Sequence, residues 1–123
     1  MGPDNSFGVD GKVTTGVIGT GTDRGTSVAI QPDGKIVVAG ESNNGTDLDF
    51  ALARYTTDGS LDNSFGVNGK VTTAIGTGND RGTSVTIQPD GKIVVAGESN
   101  NGTDDDFALA RYTTDGSLDN SRC

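Results

Sequence analysis

Most of this chain is written twice, and that duplication constrains its fold more than any other feature. Residues 4–15 (DNSFGVDGKVTT) recur as residues 62–73 (DNSFGVNGKVTT). Gly16-Val17 then stands where the second copy has only Ala74, and residues 18–64 match 75–121 almost letter for letter. Both copies carry IQPDGKIVVAGESNNGTD, and the substitutions between them are Asp10/Asn68, Thr22/Asn79, Ala29/Thr86 and Leu48/Asp105. Identity this high points to a very recent duplication or to deliberate idealisation of the repeat. The repeats span residues 4–61 and 62–118. Residues 119–123 open a third copy with Asp119-Asn120-Ser121, which stops where Phe-Gly is due. The Met1-Gly2-Pro3 start reads as boundary residues, and the chain is expected to start and end at the same point of its repeat.

Turn residues divide each copy into four short strands. The first is predicted over residues 26–31 (and 83–88), followed by the reversal Pro32-Asp33-Gly34. The second covers 35–41 (92–98) and is ended by Ser42-Asn43-Asn44-Gly45. The third covers 49–56 (106–113) and is closed by Thr57-Asp58-Gly59, and the fourth covers 69–73, with 11–15 as its counterpart. No helical periodicity separates these signals, so the fold class is all-β, an antiparallel meander.

Alternation along the strands says how the sheets must stack. Phe50 and Leu52 fall on one face of the third strand, with Ala51 and Ala53 on the other. Ile36 and Val38 share a face of the second strand, opposite Val37 and Ala39. Both faces are apolar, one bulky and one largely small. That suits identical sheets nesting face to back around a ring, whereas a two-sheet sandwich leaves each sheet an outer polar face. Four-stranded antiparallel sheets repeated radially are the blades of a β-propeller, two of them in this chain.

The strings QPDGKIVVAG and DFALARYTTDGSLDNSFGVNGKV closely resemble the delta-60 repeat, a bacterial family similar to the blades of NHL-type propellers. The likeness runs from Asp4 to Ser121. It implies a blade used as a scaffold or binding module and transfers no catalytic residue. Two repeats leave such a ring incomplete, since propellers typically hold about four to eight blades.

The order of strands suggests how the ring is completed. The chain opens with a fourth strand (11–15), supplies one whole blade, and closes with three strands (83–113) that lack a fourth. Open strand edges and apolar blade faces drive association. The expected partner is therefore a second copy of the chain, joined head to tail. Even blade totals follow, with a homotrimeric six-bladed ring first and a homotetrameric eight-bladed ring second.

Composition removes other classes. A net charge of −8 makes nucleic acid and anionic membrane surfaces poor partners. No apolar run approaches the roughly 20 residues of a membrane span. Cys123 is the only cysteine, so no disulfide can form within the chain. There is no His, no G-x-S-x-G and no phosphate-binding glycine loop, so no enzyme and no cofactor are expected. Glu41 and Glu98 are repeat equivalents and read as symmetry rather than an acid/base pair.

Among binding candidates, Asp23-Arg24 and Asp80-Arg81 are expected just before the innermost strand, near one mouth of a central channel. There they could meet a glycan, peptide or cation, or simply form rim ion pairs. Asp47, Asp49 and Asp104-Asp105-Asp106 follow the Asn-Asn-Gly loops without the EF-hand pattern, so no metal site is assigned. Arg54 and Arg111 share the Phe50/Leu52-type face and should pair with carboxylates. Phe7 and Phe65 should pack between blades.

Overall fold

The computed structural model describes residues 6–15 and 21–120, and all regular structure there is β-strand. The strands are β1 Asp23–Ile30, β2 Ile36–Asn43, β3 Leu48–Tyr55, β4 Lys70–Thr73, β5 Asp80–Ile87, β6 Ile93–Asn100 and β7 Asp105–Tyr112. They form two antiparallel meanders, a four-stranded sheet β1-β2-β3-β4 and a three-stranded sheet β5-β6-β7.

The hairpins turn where the sequence says they should. Gly34 and Gly91 adopt φ of +90°, which a side chain resists, and each N–H closes its turn on the Gln carbonyl three residues back at 2.9 Å. Asp33 fastens the same turn by accepting the Lys35 N–H at 3.0 Å.

Strand starts differ from the apolar pattern. β1 begins at Asp23 rather than residue 26, and β5 at Asp80 rather than 83. The early residues are polar or glycine, and the partner strand holds them: Asp23 pairs with Ser42, Arg24 with Glu41 and Gly25 with Gly40. A bulge between Gly25 and Ser27, repeated between Gly82 and Ser84, then re-phases the apolar residues. Gly40 and Gly97 sit opposite these bulges, where a Cβ would collide with the Arg24 or Arg81 carbonyl oxygen.

The fourth strand expected over 11–15 is not formed. Val9 and Lys12 bridge each other, and residues 13–15 run on with no ladder partner. The equivalent residues 70–73 become β4 because β3 lies beside them, with Phe50 opposite Thr73 and Leu52 opposite Val71. The same sequence is a strand only where a neighbour completes its hydrogen bonds.

The two sheets stack face to back. Val37, Ala39, Phe50 and Leu52 on one face of the first sheet meet Val85, Ile93, Val95, Ala108, Ala110 and Tyr112 on the opposite-type face of the second. Together with Phe65 these residues are the core. Bulky side chains from one face enter the space left by alanines on the other, so identical sheets interlock.

Candidate functional site

The feature with the most structure behind it is the junction between the two sheets. Backbone and side chains cross it repeatedly. The Thr26 hydroxyl donates to the Gly82 carbonyl at 2.5 Å, and Ser27 Oγ accepts the Val85 N–H at 3.2 Å. The Leu48 N–H donates to Asn79 Oδ1 at 2.9 Å. At the other end, the Gly66 N–H donates to the Asp115 carbonyl at 2.8 Å, and Tyr112 donates its phenol to Thr73 Oγ1 at 2.8 Å. Burial raises the Tyr112 pKa, so the phenol stays protonated and able to donate.

Arg54 is the anchor of this junction. It lies buried on the inner face of β3, with Nε donating to Asp62 Oδ2 at 2.8 Å and Nη1 reaching across to the Thr114 carbonyl at 2.6 Å. Its guanidinium stacks 4.6 Å from the centre of the Phe65 ring. Asp62 is buried as well, and burial alone would favour its neutral form. Bonds from Ser64 Oγ at 2.6 Å, Lys35 Nζ at 3.0 Å, the Ser64 N–H at 3.0 Å and Arg54 outweigh that, holding its carboxyl well below the usual carboxylate range. The expected Arg54–carboxylate pairing and the expected packing of Phe65 between blades are both present.

The four rim candidates divide into two kinds. Asp23 and Asp80, which the sequence places ahead of the innermost strand, are in fact the first residues of β1 and β5, and each accepts the hydroxyl of its own sheet, Ser42 or Ser99, at 2.6 Å. Asp80 is fully buried and also accepts the Ile75 and Gly76 N–H groups at 2.8 and 3.3 Å, which ties down the link before β5. Arg24 and Arg81, in contrast, converge on Glu41, at 3.9 and 3.7 Å, and Arg81 also reaches Glu98 at 3.6 Å. Arg81 thus links the two sheets through two glutamates.

Glu41 is the residue that reading the repeat as mere symmetry misses. Alternation from Val37 and Ala39 puts it on the buried face, so a buried carboxylate needing cations was legible there. The Asn-Asn-Gly loops bind themselves: Asn44 Oδ1 accepts the Thr46 and Asp47 N–H groups at 2.9 and 2.8 Å, and its amide donates to Asp49 at 3.1 Å. Among the described residues no group of three or more His, Cys, Asp or Glu is placed to hold a metal ion.

The segment before β1 repeats the junction without its blade. The Gly8 N–H donates to the Asp58 carbonyl at 2.7 Å, as Gly66 does to Asp115, and Thr15 Oγ1 and Tyr55 OH share a 2.6 Å hydrogen bond, as Thr73 and Tyr112 do. Gly8 and Thr15 therefore touch the first sheet as Gly66 and Thr73, at the edge of the first sheet, touch the second.

A family described as a domain of unknown function (DUF5122) beta-propeller matches residues 31–65 and 88–121. No curated protein and no solved structure matches the chain.

Proposed function

We propose that this chain, which belongs to the DUF5122 beta-propeller family, is a structural module whose role is to assemble with copies of itself into a closed ring of blades. The observation that carries the reading is the contrast between repeat-equivalent residues at the two ends of the stack. Leu52 is 0% exposed and Leu109 71%, while Phe50 is buried and Phe107 stands fully in solvent. The open face of the second sheet is thus a copy of the face that the first sheet buries. The first sheet in turn offers Val28 and Ile30, both exposed, on the face whose counterpart in the second sheet is buried. A surface complementary to its own far side builds head-to-tail arrays, and the wedge shape of blades favours closure over a filament.

Residues 12–15 support the same reading. Their Thr15 bonds to Tyr55 as Thr73 of β4 bonds to Tyr112, and they align in sequence with Lys70–Thr73, the strand that borders β3. The outer edge of β7 carries the same residues as the edge of β3 and has no strand beside it among the described residues. In the assembly Thr15 would stand opposite Phe107 and Val13 opposite Leu109, completing a four-stranded blade. Arg24 would likewise reach Glu98 of the next copy, as Arg81 reaches Glu41 within the chain. Three chains give six blades, and four give eight.

The reading is non-catalytic. The chain has no His, the commonest general base, and its one Cys is residue 123. Rim binding of a glycan, peptide or cation is less well supported, because Asp23 and Asp80 are engaged by their own sheets. The test is the mass in solution of the intact chain beside that of a chain lacking residues up to Thr15. The intact chain should sediment as a discrete ring, and the shortened chain should fall to lighter species. Equal masses for the two would sink the strand-completion part of the proposal.

A further inference from the structure

Three of the four single-residue substitutions between the repeats lie on the junction. Ala29 packs against the core between the sheets, whereas its counterpart Thr86 is exposed on the open face of the second. Leu48 donates its N–H to Asn79 Oδ1 across the junction. Their counterparts Asp105 and Thr22 stand at opposite ends of the stack, both exposed. When a second copy docks as proposed above, Thr86 takes the place of Ala29, Asp105 that of Leu48 and Thr22 that of Asn79. We infer that these three differences make the junction between chains weaker than the one within a chain, so that the ring dissociates and exchanges its chains more readily than one with identical junctions would. This inference rests on the self-assembly reading.

Each difference acts in the same direction. At the Ala29 position the junction buries a methyl group, while Thr86 brings a hydroxyl that loses water there. Asp105 replaces an aliphatic side chain with a carboxylate flanked by Asp104 and Asp106, which must shed water where Leu48 sheds none. The Thr22 hydroxyl is held one bond closer to the backbone than the Asn79 amide oxygen, so it falls short of the neighbouring N–H that Asn79 reaches. The remaining contacts are the same at both junctions: Phe and Leu into alanines, Arg between two Glu, and Tyr to Thr. The imbalance therefore falls on these three sites.

A chain carrying Thr22→Asn, Thr86→Ala and Asp105→Leu gives its between-chain junction the sequence of the within-chain one. Sedimentation velocity over a dilution series reads the concentration at which half the mass is assembled. Native mass spectrometry after mixing isotopically light and heavy chains reads exchange. The triple variant should assemble at a concentration about tenfold lower or less, and exchange correspondingly more slowly. Thr86→Ala alone adds no large apolar side chain to the surface and should shift both readings the same way by a smaller factor, so it decides the matter should the triple variant aggregate. Dissociation at the parent's concentration or above, or exchange as fast as the parent's, overturns the inference while leaving self-assembly standing. If parent and variants all remain single chains, the self-assembly reading itself falls and this inference goes with it.

Discussion

The two blades of this protein are nearly one sequence placed in two environments. In the first, Phe50, Leu52 and Arg54 are buried, while in the second Phe107, Leu109 and Arg111 face solvent. On the opposite face the order reverses: Val85 is buried where Val28 is exposed, and Ile93 and Val95 are buried where Ile36 and Val38 are only partly covered. Burial here belongs to a position in the stack rather than to a residue type. What the first blade gains from its neighbour, the second still lacks, and a face of the type that covers the first blade stands exposed on the far side of the same chain.

The sharpest way to break this comparison is to truncate the equivalent phenylalanines. Phe50→Ala opens a cavity in the core and should cost about 3–5 kcal/mol of stability by denaturant unfolding. Phe107→Ala should stay within about 0.5 kcal/mol of the parent at dilutions where chains are separate, yet raise the concentration needed for assembly. Equal costs for both at high dilution would mean that the faces are equally buried in the lone chain.

The arginines sharpen it further. Arg54→Ala strands the buried Asp62 with only Lys35 as a cation and removes the bond to Thr114, and should cost about 3 kcal/mol. Arg111→Ala removes a half-exposed arginine that has no neighbouring sheet to bridge to among the described residues and leaves the buried Asp119 carboxylate on Lys92, so it should cost less than Arg54→Ala in the same experiment.

A smaller effect, absent in neutral buffer, appears in acid. Because its partners hold the folded Asp62 carboxyl below the ordinary carboxylate value near 3.9, its contribution is complete above that pH. As pH falls below about 4 the unfolded state takes up the proton first, and stability is lost towards the lower folded pKa. Thermal midpoints between about pH 5 and pH 2 should drop less steeply in Asp62→Asn than in the parent. Parallel slopes would remove Asp62 from the account.

Much of this was legible from the sequence, and the omissions have physical causes. Pro32-Asp33-Gly34 marked its turn because only Gly tolerates φ of +90° there. Two-sided apolar alternation in IVVAG and DFALA predicted face-to-back stacking. The starts of β1 and β5 were missed because Asp23, Arg24 and Gly25 are held by pairing with β2 and not by apolar periodicity. Residues 11–15 carry the sequence of a strand and form none, since a ladder needs a partner that sequence alone cannot place. Glu41 reads as a mere repeat equivalent, although its position after Val37 and Ala39 puts it on the face that is buried. Asp23-Arg24 and Asp80-Arg81 are grouped by sequence at a channel mouth; in the fold their arginines meet at Glu41, while their aspartates serve their own sheets. No repeat comparison could say which copy of each residue is buried, because the copies are nearly identical.

The central claim is that the open face of the second blade is covered by another copy of this chain. Light scattering coupled to size-exclusion chromatography at micromolar concentration measures this directly. The account predicts a discrete species of three times the 12.5 kDa chain mass, a six-bladed ring. A species of four chains would change the blade count and leave the claim intact, whereas a mass of 12.5 kDa throughout the range would contradict it.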